Sequence, residues 1–434
     1  MRSVKVIIVC LLQLVFGLAK AQTQAPQFQT DTLHLTLNSA ESMFLQNNFQ
    51  LLAQRYSIDS AKAEVIQARL YPNPNFAYER GPVIPINDPN SQYPHSNFFS
   101  HSENAGNVSQ LILLAGKRNK QIKIAQANVT LTEYQFFDLL RTLKYTLRTD
   151  FYNIYYLQQS AKVYNEEINS LQVVINAYNQ LQGKGYISEK EVVRVKAQLY
   201  SLQSEYNDLL NQVNDQQAEL KLILQAKPVN YIDPLADSAA IESLDPGKYA
   251  LSTLMDSAYH NRTDLQIAIT NASISELNYN YQKALAVPDL TLALSYDEQG
   301  SYAHNFNSVG ASIDLPFFNR NQGNIKAARA TIENTGLIQK STQATVEQNV
   351  ARALEKAFAE DRLYKNIDPK FAGDFERLMH EVLINYQRRN LGLLDFLDFY
   401  DSYKQNILQQ NSIKFNRISA LEDINYYTGT PFFN

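Results

Sequence analysis

From about Lys120 to Gln182 the chain runs for about sixty residues with few helix breakers. Its apolar positions Leu140, Leu143, Leu147, Phe151, Ile154, Leu157, Ala161, Tyr164, Ile168, Leu171, Ile175 and Tyr178 advance mostly by alternating steps of three and four. That spacing is close to a heptad repeat and selects left-handed coiled-coil packing. At 1.5 Å per residue the helix would be roughly 95 Å long, far beyond the usual globular helix. Gly183-Lys184-Gly185-Tyr186 reads as a tight turn, Ser188 as the cap of a returning helix, and Glu191 lies in that helix's first turn. Leu199, Leu202, Tyr206, Leu209, Val213, Leu220 and Ile223 repeat the heptads on the way back. The predicted unit is an antiparallel hairpin over 120–226, whose apolar stripes a single chain cannot cover.

The plan occurs twice. In 308–330, Val309, Ala311, Ile313 and Leu315 alternate with Ser308, Gly310, Ser312 and Asp314, which is the pattern of a strand with one apolar side. Pro316 stops the strand, Asn319 to Gly323 turns the chain, and Ile325, Ala328 and Ile332 switch to helical spacing. The stretch 109–125 makes the same junction, with Gly116, Lys117 and Arg118 opposite Asn319, Arg320 and Asn321. Earlier in each copy, Asn47 pairs with Asn261 and Pro74 with Pro288, both 214 positions apart. A first repeat is assigned to 22–246. It comprises a helix from an Asn38 cap to about Leu70, strands about 75–80 and 106–114, the hairpin and a proline-punctuated linker at 227–246. A second repeat, 247–434, has a helix, strands about 289–297 and 306–315, and a hairpin over 322–428. Pro369 should kink its outgoing helix, and Asp395, Asp398 and Asp401 follow one another on successive turns of its return leg. The first copy carries about 11 extra residues between its strands, in a Pro-, Asn- and Ser-rich loop at 81–105.

Residues 1–21 read as a secretory signal peptide. Arg2 and Lys5 precede an apolar run from Val6 to Leu18, and Ala19-Lys20-Ala21 is a small-x-small cleavage site. Cys10 follows Val9, where a lipoprotein signal would have a small residue, so the reading is export without lipidation. Cleavage would remove the single cysteine, and with it disulfides and thiolate metal sites. Loss of Arg2, Lys5 and Lys20 would move the formal net charge from -4 to -7, which disfavours nucleic acid as a partner.

No arrangement of residues points to catalysis, a cofactor or a metal centre. His95, His101, His260, His304 and His380 show no ligand spacing, only Met43, Met255 and Met379 remain after cleavage, and there is no phosphate-binding glycine loop. Tyr145, Tyr152 and Tyr155 on the long helix read as packing residues. Four strands of about ten residues match the length needed to cross a hydrocarbon layer at a tilt, but four cannot close a pore and would leave unpaired edges in lipid. Several chains must share one barrel, as the helices also require.

The signal peptide, the duplicated plan and the fragments Leu35-Thr36-Leu37, Pro74-Asn75, Gly116-Lys117-Arg118, Pro316 to Asn324 and Leu394 to Asp398 together resemble the TolC family of outer-membrane efflux channels. The junction motifs are most similar to its heavy-metal branch, the cobalt-zinc-cadmium and copper-silver systems. The resemblance covers nearly the whole mature chain. It implies an α-helical protein with membrane β-strands: a homotrimer in which four transmembrane strands per chain build a twelve-stranded barrel in outer-membrane lipid, above a periplasmic α-helical tunnel of coiled-coil hairpins. The implied function is the passive exit duct of a tripartite system, with a periplasmic adaptor and an inner-membrane pump as partners. Heavy-metal cations are the expected cargo, with multidrug or protein export as the alternative.

In that family the hairpin turns form the docking tip. Gly185, Ile187, Ser188 and Glu191 match the first turn; Leu391, Leu393, Leu394, Asp395 and Asp398 match the second. The family's aperture aspartates map onto Asp395 and Asp398, and Tyr386 onto a tyrosine that helps hold the tip shut. Arg389 stands where the family usually has glycine. Physically, Asp395 and Asp398 share a helix face, so three-fold symmetry would stack two carboxylate rings. At about 8 Å and an effective dielectric near 20 each like pair repels by about 2 kcal/mol. Read without the family, the same residues are better taken as solvated acids favoured by a helix N-terminus, and the resemblance reverses that preference. A trimeric coiled-coil surface structure with no lumen is a further rival, though a stalk needs no strands between its helices.

Overall fold

The structure, a computed structural model, describes residues 31–81, 103–300, 302–368, 370–388 and 390–434. The expected signal peptide, Cys10, most of the 81–105 loop with His95 and His101, Pro369 and Arg389 lie outside them, as does the side chain of His380.

Chain order is β1 (Thr32–Thr36), α1 (Leu37–Asn47), α2 (Phe49–Arg69), β2 (Asn75–Gly81), β3 (Glu103–Ile112), α3 (Lys117–Gly183), α4 (Glu189–Leu224) and β4 (Tyr231–Leu235). Then come α5 (Ser238–Glu242), α6 (Leu251–Asn261), α7 (Thr263–Leu285), β5 (Leu290–Asp297), β6 (Phe306–Ile313), α8 (Gln322–Lys365), α9 (Phe371–Gln387) and α10 (Leu393–Thr428). The α3 helix is 67 residues long, or roughly 100 Å. It packs against α2, α4, α7 and α10, so the heptad stripes read from the sequence are shared between the two repeats. Among the described residues no helix is long and apolar enough to cross a membrane.

Strands β2 and β3 of the first copy and β5 and β6 of the second come together as one antiparallel sheet in the order β2-β3-β5-β6. Register sorts its side chains by chemistry. One face carries the row Phe76, Val108, Leu294, Val309, then Gln110, Leu292, Ala311, then Ile112, Leu290, Ile313. The other carries Asn75, Ser109, Ala293, Gly310 and the row Ala77, Asn107, Ser295, Ser308. Phe76, Leu294 and Val309 are exposed although large and apolar. β2 and β6 are open edges within the chain, leaving a row of backbone donors and acceptors to be paired from outside.

Between sheet and hairpin tips lies a belt of buried charge. Arg148 donates to Glu422 at 2.7 Å and to Glu41 at 2.9 Å, and Arg417 donates to Asp361 at 2.8 Å and to the Ile241 carbonyl at 3.0 Å. These bonds tie α1 and α3 to α10, and α10 to α8 and the segment after β4. Burial pushes the Glu422 carboxyl up from its usual range, against the pull of Arg148.

The structure corrects several sequence expectations. Residues 32–36 are a strand paired in parallel with Tyr231–Leu235, inside what reads as a linker, with His34 bonded to Asp233 at 2.8 Å. The first helix starts from a Thr36 cap instead of Asn38, and it breaks at Asn48, whose side chain accepts from Gln50 and Leu51 while donating to the Ile223 carbonyl at 2.9 Å. An equivalent break falls at Arg262 between α6 and α7. The second outgoing helix is two helices, ending at Lys365 and resuming at Phe371. Between them Asp368 turns the chain by accepting from the Lys370 and Phe371 N–H groups. At the strand-to-helix junctions the equivalent residues are the left-handed N-caps Gly116 (φ 67°) and Asn321 (φ 57°), so the sequence pairing of Gly116 with Asn319 slips by two.

Candidate functional site

The far ends of the two hairpins pack on one apolar cluster. Leu171, Val174 and Ile175 of α3 and Val195, Leu199 and Leu202 of α4 meet Met379, Val382 and Tyr386 of α9 and Phe396 and Tyr400 of α10. At its centre the Tyr386 and Phe396 rings stack at 4.0 Å with an interplanar angle of 9°, and the Tyr178 ring lies 5.6 Å from Tyr386. One aromatic side chain thereby joins the second hairpin to the first. Burial, with Tyr178 alongside, drives the Tyr386 hydroxyl well above its usual pKa, so it stays a neutral phenol at any physiological pH.

The first turn is built by local chemistry. Gly185 takes a left-handed φ of 74°, its N–H donates to the Gln182 carbonyl at 2.9 Å, and the Tyr186 N–H donates to that of Leu181 at 3.0 Å. This is a Schellman cap, and glycine is the residue that reaches it without strain. Ser188 then caps α4 and Glu191 reaches back to the Ser188 N–H at 3.1 Å, a complete capping box. Ile187 is half-buried while Gly185 and Ser188 are exposed.

At the second turn the Asn390 N–H donates to the Asn385 carbonyl at 2.9 Å, and α10 starts from Gly392 with no side-chain cap. A Cβ at Gly392 would sit 3.2 Å from the Asp395 carboxylate, so that carboxylate lies over the start of the helix. Asp395 and Asp398 are both exposed on the first turns of α10, on the side away from buried Phe396 and Tyr400, and neither has a hydrogen bond or ion pair among the described residues. Leu391 and Leu393 are half-buried and Leu394 is exposed. The structure thus gathers the named residues into two neighbouring turns at one end of the molecule.

Behind these turns lies a charge cluster that the sequence reading missed. Lys404, buried, donates to Glu205 at 2.8 Å and to Asp401 at 3.0 Å. Burial alone would lower its pKa; the two carboxylates outweigh that and hold the ammonium charged well above pH 10. Glu167, only 3 % exposed, has a carboxylate oxygen with no partner. It borders a cavity of about 500 Å³ shared with Ser170, Met379, Tyr400 and Tyr403. Burial pushes its carboxyl up to about 8; Lys404 pulls the other way, while Asp401 and Glu205 add to the rise. The available signal was a glutamate on the heptad face between Tyr164 and Leu171. Among the described residues no group of three or more His, Cys, Asp and Glu side chains is placed to hold a metal ion.

The model for the family described as outer membrane efflux protein matches residues 41–225. The cobalt-zinc-cadmium resistance protein CzcC of Cupriavidus metallidurans is 18% identical over 364 residues, 84% of this chain and 82% of that one. The CmeC outer membrane channel of Campylobacter jejuni superposes with a TM-score of 0.73 at 16% identity, over 91% of this chain and 85% of that one. The open state of the MtrE outer membrane channel of Neisseria gonorrhoeae gives a TM-score of 0.68 at 16% identity, over 91% and 89%. The chain therefore has the TolC-like channel fold, a helical tunnel joined to membrane-type strands, and residues 41–225 carry the sequence signature of outer membrane efflux proteins.

Proposed function

We propose that the protein is the outer-membrane exit duct of a tripartite efflux system. The observation that carries this reading is the four-stranded sheet with one apolar face, one small polar face and two open edges, set on hairpins of roughly 100 Å. Three copies pairing β6 of one to β2 of the next close twelve strands with no edge left, the apolar rows toward lipid and the Asn, Ser and Gly rows toward the lumen. The helices prolong that lumen into the periplasm. The tips meet a periplasmic adaptor through Gly185, Ile187, Ser188, Glu191, Leu391, Leu393 and Leu394, and an inner-membrane pump supplies the energy. The duct itself does no chemistry.

In this reading Asp395 and Asp398 ring the aperture, and Tyr386 keeps it narrow by holding α9 and α10 against α3. Widening the aperture requires Tyr386 to leave Tyr178. Choice of cargo is made upstream. Heavy-metal cations are the narrower reading, supported by the junction motif and the likeness to CzcC. The broader reading, a general export duct, is supported better, because the fold is shared with channels of several names.

Single-channel recording in planar bilayers tests the duct. Conducting trimers whose conductance rises and whose block by divalent cations weakens in Asp395→Ala/Asp398→Ala are expected. Unchanged conductance would remove the aspartates from the aperture; no conductance under any condition would leave the non-conducting stalk.

A further inference from the structure

We propose that a basic collar just below the sheet binds the anionic headgroups of phospholipids in the periplasm-facing leaflet, an inference that rests on the duct reading above. The last cross-strand apolar row is Ile112, Leu290 and Ile313. Immediately beyond it the chain exposes bulky apolar groups outside any strand: Phe317 at 67%, Phe318 at 95% and Tyr71 at 73%. Exposure of these rings to water costs free energy that a headgroup boundary relieves, since it accommodates both apolar and amphipathic rings.

Charge follows directly. Between the last apolar row and residues 125 and 330 the one acid is the exposed Asp314, and within about two helical turns of the sheet the chain displays Arg118, Lys120, Lys123, Arg320, Lys326 and Arg329 at exposed or half-exposed positions. Lys117 is the exception, buried and neutralised by Asp289 at 2.7 Å. Arg118 is held in a fixed pose: its guanidinium lies 3.8 Å from the Tyr71 ring centroid and its Nε donates to the Arg69 carbonyl at 2.9 Å. Its two terminal nitrogens have no hydrogen bond among the described residues, and neither does the Arg320 side chain. A planar guanidinium fork beside an interfacial aromatic matches the bidentate geometry of a phosphodiester.

The opposite end of the same sheet has the reverse sign, with Glu79, Glu103, Asp297 and Glu298 against Arg80. A chain with an overall charge of -4 thus sorts its cations to one edge of its apolar band. The collar is continuous with that band, at the level where a protein partner would have to displace lipid. Phospholipid is therefore the occupant that fits both the rings and the charges, and polybasic attraction to an anionic surface is the force involved.

The test uses the full chain reconstituted in nanodiscs of phosphatidylcholine and phosphatidylglycerol in equal amounts, released into the gas phase so that retained lipids are weighed. Wild-type trimers are expected to retain phosphatidylglycerol over phosphatidylcholine. Arg118→Gln/Arg320→Gln should cut that preference several-fold, while Arg118→Lys/Arg320→Lys keeps most of it, in a salt-sensitive form. Phe317→Ala/Phe318→Ala should lower retention of both lipids alike. Trimers that insert and conduct but hold the two lipids equally would overturn the collar and leave the duct standing. A chain that inserts into neither lipid would overturn the duct reading and the collar with it.

Discussion

The belt and the hairpin ends both bury charge, and they treat it differently. In the belt Arg148 and Arg417 each serve several acceptors: Arg148 reaches Glu422 and Glu41, Arg417 reaches Asp361 and the carbonyls of Ile241 and Leu244. Near the tips a single lysine faces three carboxylates, and Glu167 is left with an oxygen unpartnered. Arginine offers five donors in a plane, lysine a compact charge, so Arg148 and Arg417 each satisfy the carboxylates they face, although Asp150 and Glu360 beside them keep an unpartnered oxygen, while the tip cluster is one cation short. The belt fixes the fold where the repeats meet, while the cluster beside the hairpin turns is held together less completely. That is the distribution a duct with a rigid waist and a movable end requires.

The largest expected effect breaks the belt. Arg148→Ala leaves the buried Glu422 without its cation, while Glu41 keeps Lys144 at 3.0 Å, and should cost about 3–5 kcal/mol, read as a fall in the thermal midpoint of the helical part by circular dichroism. Arg148→Met/Glu422→Leu removes both charges and should recover most of that loss, because a well-packed apolar pair has no desolvation cost to offset. If the single substitution cost under about 1 kcal/mol, the belt would be no more than a solvated surface pair.

Lys404→Met is the matching change at the tip, and it should cost less, about 1–2 kcal/mol. Glu205 and Asp401 keep 39% and 41% of their side-chain surface exposed and can turn to water once the lysine is gone. Trimer dissociation and thermal melting measured together would show whether the loss is local to the hairpin ends. A cost equal to that of Arg148→Ala would erase the distinction between the two clusters.

The sequence made the hairpins and the sheet legible because their signals are local. Heptad steps from Leu140 to Tyr178 and the alternation of 308–315 need no knowledge of partners, and neither does Ser188 with Glu191 three residues on. The β1–β4 pair was hidden for the opposite reason: five residues on each side, a partner about 200 positions away, and Pro234 inside the run. The belt was hidden likewise. Arg148 sits 274 positions from Glu422 and looks like an ordinary helix-surface arginine until the two repeats are folded together. At the tip, Asp395 and Asp398 are legible as neighbours on one helix face. Glu167 could be flagged only as a charge out of place between Tyr164 and Leu171, because what isolates it comes from α4 and α10.

The smallest effect is the most specific to the tip. Glu167 titrates near 8 in the fold, against a usual value of 4.5, so between those limits the folded chain holds a proton that the unfolded chain has released. Its contribution to stability is fully present below about pH 4.5 and is lost as pH rises to about 8, with a slope of at most about 1.4 kcal/mol per pH unit. Asp150, pushed up to about 7 by burial and then by Glu219, adds a slope of the same sign that ends a unit earlier. Thermal midpoints between pH 6 and 9 should therefore fall with pH in the wild type. Glu167→Gln should remove the fall between 7 and 8 and lessen it below 7, Asp150→Asn should lessen it below 7 only, and Arg148→Met/Glu422→Leu should leave both contributions. Because the buried Glu167 carboxyl lies near Lys404, Glu205 and Asp401 beside the second hairpin, its ionisation should also loosen the contact that holds that hairpin to the first. An increase in single-channel opening from pH 7 to 9 that disappears in Glu167→Gln would place the difference between waist and tip in the working of the duct; the same increase in the variant would confine Glu167 to stability alone.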